Sequence, residues 1–510
     1  MGDSLGRCLG ATDPSSGGDN LGLQQLNDFS YFTPSQVFTH WVISDTNAAG
    51  AAPSSSSILQ GNNTTLTETI SPLNIINWQA EADNGDVAMT NADGSVLLAT
   101  FVGDPRFPGQ THLLSLATLA VPGGLTWQET ASYAIATNSQ TTLGAGGWTN
   151  LFSLNGNIYT DAYNGSNLSL VTITPEGRQD TLRLDTQGRP IAESQPGLAT
   201  TTVSYDSAGR LGSISDQSAE GNRTSTLAYD SLGRLSLITD PLSRTNGFAY
   251  DAANRLRQLT LTDGRVANYQ YDAEYNLTAI TPPGRPAHTF NYNAVGQLTN
   301  YAPPFVSEDD SIHYAYDTQR HLTQAQFPDG QAMLLNWNAD GNLTNLVLGS
   351  EPTLSFAYST GSGQLTNIST STGDAMGFTH QGALLSVVQW SGSVTGSVNV
   401  QFNNDLRVAS QSVNDASGIA YGYDGDGLLT NGGPMRLARD TNGFVTATSL
   451  GLVQDVRQND DLGRMTDYSV TVVGSDFWSV ALSFDPLDRI TNKGGRSTRC
   501  RVGDFRLVLG

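Results

Sequence analysis

Tyr205-Asp206-Ser207-Ala208-Gly209-Arg210-Leu211 returns 24 residues later as Tyr229-Asp230-Ser231-Leu232-Gly233-Arg234-Leu235. Further copies begin at Tyr250, Tyr271, Tyr292, Tyr316, Trp337, Tyr358, Phe378, Phe402 and Tyr423, almost always 21 or 24 residues apart. A fixed period of this size means one small structural unit stacked many times. Two residues before each aromatic start sits another apolar side chain (Val203, Leu227, Phe248, Tyr269, Phe290, Tyr314), with a small or polar residue between. That alternation, together with the aromatic and β-branched bias, predicts a half-buried strand ending at the aromatic residue.

A turn follows. Asp or Asn comes directly after most of the aromatic starts, and Gly stands three further on at Gly209, Gly233, Gly296, Gly341, Gly382 and Gly427. Asp favours the first position of a type I turn, and Gly favours the closing position, where φ is positive. Asn254 is an acceptable substitute there, since Asn tolerates that conformation. Tyr275 and Arg320 are poor ones, so their turns are expected to differ. A second strand opens at Leu211, Leu235, Leu256, Leu277, Leu298, Leu322 and Leu343, often with another apolar residue three later, as at Ile214 and Ile238. A spacing of three does not fit one face of an ideal strand, so a bulge or burial on both faces is expected. Asp240-Pro241, Asp263-Gly264 and Asp329-Gly330 then break the chain. The reading is all-β: strand, turn, strand, turn, laid out as a long antiparallel meander. The residues expected to carry the repeat, in a structural role, are Tyr205, Asp206, Gly209, Arg210, Tyr229, Asp230, Gly233, Arg234, Tyr250, Asp251, Tyr271, Asp272, Tyr292, Gly296, Tyr316, Asp317, Tyr423 and Asp424.

The motif Y-D-x-x-G-R-L resembles the YD repeats (also called RHS repeats) of bacterial Rhs proteins, of the C component of insecticidal Tc toxins, and of teneurins. The resemblance covers residues 184–490, with weaker copies at Leu184, Arg439, Asn459 and Phe484. It implies a continuous sheet that spirals into a hollow β-shell, commonly enclosing a toxic C-terminal segment of the same chain, and a secreted or cell-surface location. The D-P-x-G-L-type core motifs that bear self-cleaving aspartates in complete Rhs chains are not visible after Phe484-Asp485-Pro486-Leu487-Asp488-Arg489-Ile490.

Five segments are expected. Residues 1–14 align without gaps on Tyr229 to Pro241 and read as a truncated repeat, which suggests a piece of a longer product. Residues 15–75 are rich in Ser, Asn, Thr and Gly and read as a loose segment. Residues 76–183 read as a degenerate β-rich region, 184–490 as the array, and 491–510 as a basic, non-repeat tail containing Cys500.

Bulk properties narrow the function. A net charge of −22 opposes nucleic acid and anionic membrane surfaces as partners. No apolar run is long enough for a membrane-spanning helix. Lys493 is the sole lysine; the arginines fall largely inside the motif, where pairing with turn Asp or stacking on aromatics is expected. Cys8 and Cys500 offer no disulfide framework, and the six histidines have no zinc spacing. Glu308-Asp309-Asp310 and Asp424-Gly425-Asp426-Gly427 contain calcium-type carboxylates, but a solvated loop and a repeat turn account for them. Gly2-Asp3-Ser4-Leu5 with Asp310-Ser311-Ile312-His313 spells the blocks of a lipase–esterase family, yet no apolar strand precedes Gly2. The aromatic starts are expected on a buried face, as core and not as a sugar-stacking ladder.

No catalytic residue, metal site or cofactor is therefore expected. The leading reading is a non-enzymatic scaffold segment of an Rhs-type secreted or cell-surface toxin or contact protein, its partner a C-terminal segment of the parent chain or a cell-surface glycan or protein. The alternatives are a carbohydrate- or cell-surface-binding module, and a β-propeller-like array, since two 21-residue units approach the length of one blade.

Overall fold

An aspartate followed three residues later by a positive-φ residue reverses the chain, and the segments on either side pair. The computed structural model repeats that event along the sequence. It describes residues 64–71, 73–104, 111–135, 146–304 and 310–497, with the strand backbones Gly10–Thr12, Asn20–Leu26, Thr39–Thr46 and Ser54–Leu59. Among the described residues the regular elements are forty-three β-strands, with no helix.

The chain divides into two compact units. One comprises Met1–Ala131, Tyr250–Gln258 and Arg265–Gly418; the other comprises Ser132–Ala249, Leu259–Gly264 and Ile419–Gly510. In the first, every strand from Val266–Tyr271 to Val408–Val413 pairs antiparallel with the next in sequence. The second runs likewise from Trp148–Leu154 to Leu235–Thr239 and from Ile419–Tyr423 to Ile490–Ser497. Propeller blades would interrupt the pairing after every fourth strand. These runs are uninterrupted, so the propeller alternative falls and the meander stands.

The turn chemistry explains the register. Asp206 N–H donates to the Arg210 carbonyl (2.8 Å) and Gly209 N–H to the Asp206 carbonyl (2.9 Å), with Gly209 at φ +81°. This is a type I turn closed by a left-handed residue. Tyr275 (φ +72°) and Arg320 (φ +71°) adopt the same conformation, so their turns do not differ as expected. The flanking ladder and the turn aspartate over-determine the backbone there, although Tyr275 N–H reaches the Asp272 carbonyl only at 3.4 Å.

The register then slips by one residue just before the aromatic start. Ser204 faces Ser213 but Tyr205 faces Leu211, leaving Gly212 unpaired. The same slip precedes Tyr229, Tyr271, Tyr292, Tyr316, Trp337, Tyr358, Phe402 and Tyr423. This is the bulge that the spacing of three demands. It absorbs one residue, so Leu211 and Ile214 lie on one face, paired across the strands with Tyr205 and Val203.

Burial departs from expectation. The aromatic starts are half-buried, Ile214 is 40% exposed, and none of the described residues is a fully buried large side chain. Most of the buried apolar residues are small, such as Ala267, Ala279 and Ala325, with Tyr163 the large exception. Side chains here pack mainly against cross-strand neighbours on their own face, which covers their flanks and leaves their tops open. In the segment expected to be loose, residues 15–75, Asn20–Leu26, Thr39–Thr46, Ser54–Leu59 and Thr65–Ile70 pair in succession. In Thr39–Thr46 and Thr65–Ile70 the Thr, Val and Ile content supplies the strand propensity.

Candidate functional site, an aspartate–arginine–tyrosine ladder

The groups with chemical potential in the array are the Tyr hydroxyls, Asp carboxylates and Arg guanidinium groups. The hairpin geometry brings them together. Asp206 Oδ1 accepts the N–H groups of Ala208 and Arg210 (both 2.9 Å), while Oδ2 accepts Arg210 Nε (2.8 Å) and Nη2 (2.7 Å). One carboxylate thus clamps the turn and aims the arginine. Asp185–Arg189, Asp230–Arg234, Asp251–Arg255, Asp460–Arg464 and Asp485–Arg489 repeat the arrangement. The backbone and arginine hydrogen bonds hold Asp185, Asp206, Asp230 and Asp251 below the usual carboxylate range. The Arg489 side chain brings Asp485 to about 2.

The aimed arginine then meets the next repeat. Arg189 lies 4.1 Å from the ring centre of Tyr205, Arg210 4.3 Å from that of Tyr229, and Arg255 4.9 Å from that of Tyr271. The far end of each ring is also fixed. Tyr229 OH donates to the Leu211 carbonyl (2.8 Å), Tyr271 OH to Leu256, Tyr292 OH to Leu277, Tyr316 OH to Leu298 and Tyr358 OH to Leu343. Trp337 uses its indole N–H on the Leu322 carbonyl in the same way (2.8 Å). Burial pushes the hydroxyls of Tyr271, Tyr292, Tyr316 and Tyr358 up, so they stay protonated donors.

Departures from the motif keep the contacts. His321 replaces the arginine, hydrogen-bonds Asp317 (3.1 Å) and stacks on Trp337 (5.1 Å). Asn276 donates to Asp272 (2.9 Å). At the weak copy led by Arg439, the guanidinium reaches the Leu429 carbonyl (3.0 Å), the atom a tyrosine hydroxyl would take. Tyr423 faces Leu429 across its bulge. Gly296 closes its turn at φ +79°.

Two features escape a reading of the motif alone. The residue after each bulge leucine is often Thr or Ser, and its hydroxyl caps the carbonyl before the aromatic start. Thr299 to Asn291, Thr323 to Ala315, Thr344 to Asn336 and Thr366 to Ala357 are all 3.1 Å. The recurring Leu-Thr dipeptide was the available signal. Asp240, expected only as a breaker, clamps Arg244 as the motif aspartates do (2.8 Å); the Asp-x-x-x-Arg spacing was its signal.

In each unit the sheet also meets itself, turn to turn, more than 240 residues along the chain. In the second unit Arg178 donates to Asp424 (2.8 Å) and to Asp426, at sequence separations of 246 and 248. Asp426 also accepts from Thr174 Oγ1 (2.7 Å) and Glu176 N–H (3.0 Å). Burial opposes the charge of Arg178, but the two carboxylates outweigh it and raise its pKa; Asp424 is desolvated too, and is nevertheless lowered by Arg178. Further along, Asp461 accepts from Ser218 Oγ (2.8 Å) and Ala219 N–H (2.6 Å), and Arg223 pairs with Asp488 (2.7 Å). In the first unit the junction is neutral on one side. Asp340 accepts from Ser71 Oγ (3.1 Å) and Leu73 N–H (2.9 Å), Asn404 accepts from Thr126 N–H (3.2 Å), and Ile75 fills the space beside Gly363.

Among the described residues the other candidate chemistry does not assemble. Asp424 and Asp426, read as calcium-type carboxylates, hold Arg178. Glu308 and Asp309 lie outside the described residues, as do Gly2-Asp3-Ser4-Leu5 and both cysteines. His313 stands exposed in the strand Ile312–Tyr316, between Asn300 and Gln326 of the neighbouring strands.

No curated protein matches the chain. Among solved structures it is similar to a TcdB2-TccC3 complex, at 11% identity and a TM-score of 0.38, covering 93% of this chain and 33% of the other. It is also similar to a Photorhabdus luminescens Tc holotoxin pore, at 11% identity and a TM-score of 0.33, covering 94% and 32%. The chain therefore spans about a third of the length of these neighbours. The model of the Teneurin YD-shell family matches residues 148–501. That match spans the ladder and its hairpins, and the chain belongs to the Teneurin YD-shell family, as a structural scaffold built of these repeats.

Proposed function

We propose that this chain is a non-enzymatic shell segment of an Rhs-type secreted or cell-surface toxin or contact protein. The observation that carries the reading is the self-consumption of the array's reactive groups. In the best-matched repeats the turn carboxylate is spent on its own turn and arginine, the arginine on the next ring, and the ring's polar tip on a backbone carbonyl. Groups so engaged build a wall; an active site needs a nucleophile or base held for a substrate. The partner in this reading is a C-terminal segment of the parent chain, held by the repeats.

The test joins the chain to the coding sequence that continues its repeat frame, and follows trypsin digestion of the added segment. Protection well beyond that of the isolated segment supports the reading. Equal cleavage of both overturns it, as does ester or glycoside hydrolysis by the purified chain.

A further inference from the structure

In the first unit, Ile368, Met376, Trp390 and Gly396 face one another in turn across four neighbouring strands. Directly paired residues project from the same face of a sheet. At Gly396 a Cβ would stand 2.6 Å from Trp390 Cζ2 and 2.7 Å from Cε2, so the indole occupies space that only glycine leaves. The ring thus rests on the strand Gly396–Phe402 and borders a groove whose apolar walls are Ile368, Met376 and Val394. Met376 is 40% and Val394 69% exposed, so the groove is open to solvent.

One charged side chain lines this groove, and it is an acid, Asp374. Its Oδ1 accepts the Ser393 N–H at 2.6 Å, and the contacts with Ser393 hold the carboxyl below the usual range. Four residues on from Asp374 the chain has Phe378, where the motif aspartates have arginine. The turn therefore supplies no guanidinium of its own to this carboxylate.

An indole face beside a fixed carboxylate, within apolar walls, matches a cation of low hydration. A primary ammonium needs three acceptors. The hydroxyls in the lining are those of Thr370, Ser391 and Ser393; Thr370 Oγ1 is engaged with Thr372 and with the backbone of Asp374, and the Ser393 side chain with the Asp374 carboxylate, which leaves too few acceptors for a primary ammonium. A metal ion would need several oxygen ligands, preferably carboxylates or carbonyls, and this groove offers one carboxylate and a few serine and threonine hydroxyls. We propose that this groove binds a quaternary ammonium group, its methyls seated on Trp390 and Met376 and its charge facing Asp374.

The test is a titration of the chain with choline and with its neutral carbon isostere, in which tert-butyl replaces trimethylammonium. Binding is read by saturation-transfer NMR on the ligand methyls and by tryptophan fluorescence. Choline is expected to bind saturably and about tenfold tighter than the isostere, because only the cation gains the ring and carboxylate terms. Asp374→Asn and Trp390→Leu are each expected to weaken choline about tenfold while leaving the isostere unchanged for Asp374→Asn. Equal binding of choline and isostere would reduce the site to a plain apolar groove and overturn the proposal. No saturable choline response, or tighter binding of a methyl glucoside, would overturn it too. The comparison of ligands on the unsubstituted chain decides the matter even if a variant fails to fold.

Discussion

The two compact units solve one problem with different chemistry. Each must hold turns early in its sequence against turns met more than 240 residues later. The second unit adds charge on both sides, with Arg178 between Asp424 and Asp426 and Arg223 on Asp488, to the neutral contacts of Ser218 and Ala219 with Asp461. The first uses a hydroxyl and backbone N–H groups on Asp340 and Asn404, with Ile75 packed beside Gly363. A junction of half-desolvated charges is directional, but loses much when one member goes, because the remaining charge is stranded. A junction of single hydrogen bonds and apolar contact loses only what is removed.

The sharpest way to break this contrast is Arg178→Ala. It leaves Asp424 and Asp426 facing each other, and is expected to cost the second unit about 3 kcal/mol. Ser71→Ala in the first unit should cost about 1 kcal/mol or less. Urea titration gives the magnitudes, and amide exchange at 174–178 and 424–428 against 71–75 assigns them to a junction. Equal losses from the two substitutions would erase the distinction.

Acid provides the second test. The carboxylates of Asp424 and Asp461 are lowered in the folded chain from an ordinary value of 3.8. Their contribution is complete above that ordinary value and disappears as pH falls through the lower folded one. As pH falls below that ordinary value, the amides of 174–178 and 218–223 should lose protection before those of 71–75. Simultaneous opening would mean that the turn clamps common to both units, and not the junctions, govern acid stability.

A third, smaller effect tests the ladder itself. Tyr229→Phe removes the hydroxyl that reaches Leu211 and strands one carbonyl lone pair, for about 1 kcal/mol. The same change at Tyr271 should cost the first unit a similar amount, since the ladder, unlike the junctions, is shared. Unequal thermal-unfolding shifts for the two variants would show that the ladder, too, differs between units.

What the sequence discloses follows from range. The strand before Tyr205, the turn at Asp206 to Gly209 and the bulge after Leu211 are set by residues within ten positions, so period and residue type announce them. The pairing of motif Asp and Arg is equally local. The bond from Tyr229 OH to Leu211 spans 18 residues and is blurred by Phe378 and Phe402, which have no polar tip. The meeting of Arg178 with Asp424 spans 246 and leaves no local mark; Asp424-Gly425-Asp426 looks like any other turn until its partner is seen. Half-burial of the aromatic starts was misjudged because alternation reports which side a residue takes, and is silent on whether anything covers that side. Trp390 over Gly396 lies in a copy where the motif has faded, so the repeat gave no reason to inspect it.

The finest test concerns the turns. At the second unit's junction four turns close on Gly177, Gly427, Gly443 and Gly463 and a fifth on Asp488, all with positive φ. Two of them also have no room to spare: a Cβ on Gly443 would stand 2.9 Å from Leu428, and one on Gly463 2.8 Å from Phe444. In the first unit Tyr275, Arg320 and Leu406 occupy the same left-handed position, where a side chain costs about 1 kcal/mol. Tyr275 is 64% exposed, and its ring lies 5.1 Å from Arg255, an outer contact of small worth. Tyr275→Gly should therefore stabilise the first unit by about 0.5 kcal/mol, after the added freedom of the unfolded glycine is subtracted. Gly443→Ala should destabilise the second unit by more than that, because the new methyl meets both an unfavourable φ and the Leu428 side chain. A stabilising Gly443→Ala would show that the junction turns are no tighter than the rest.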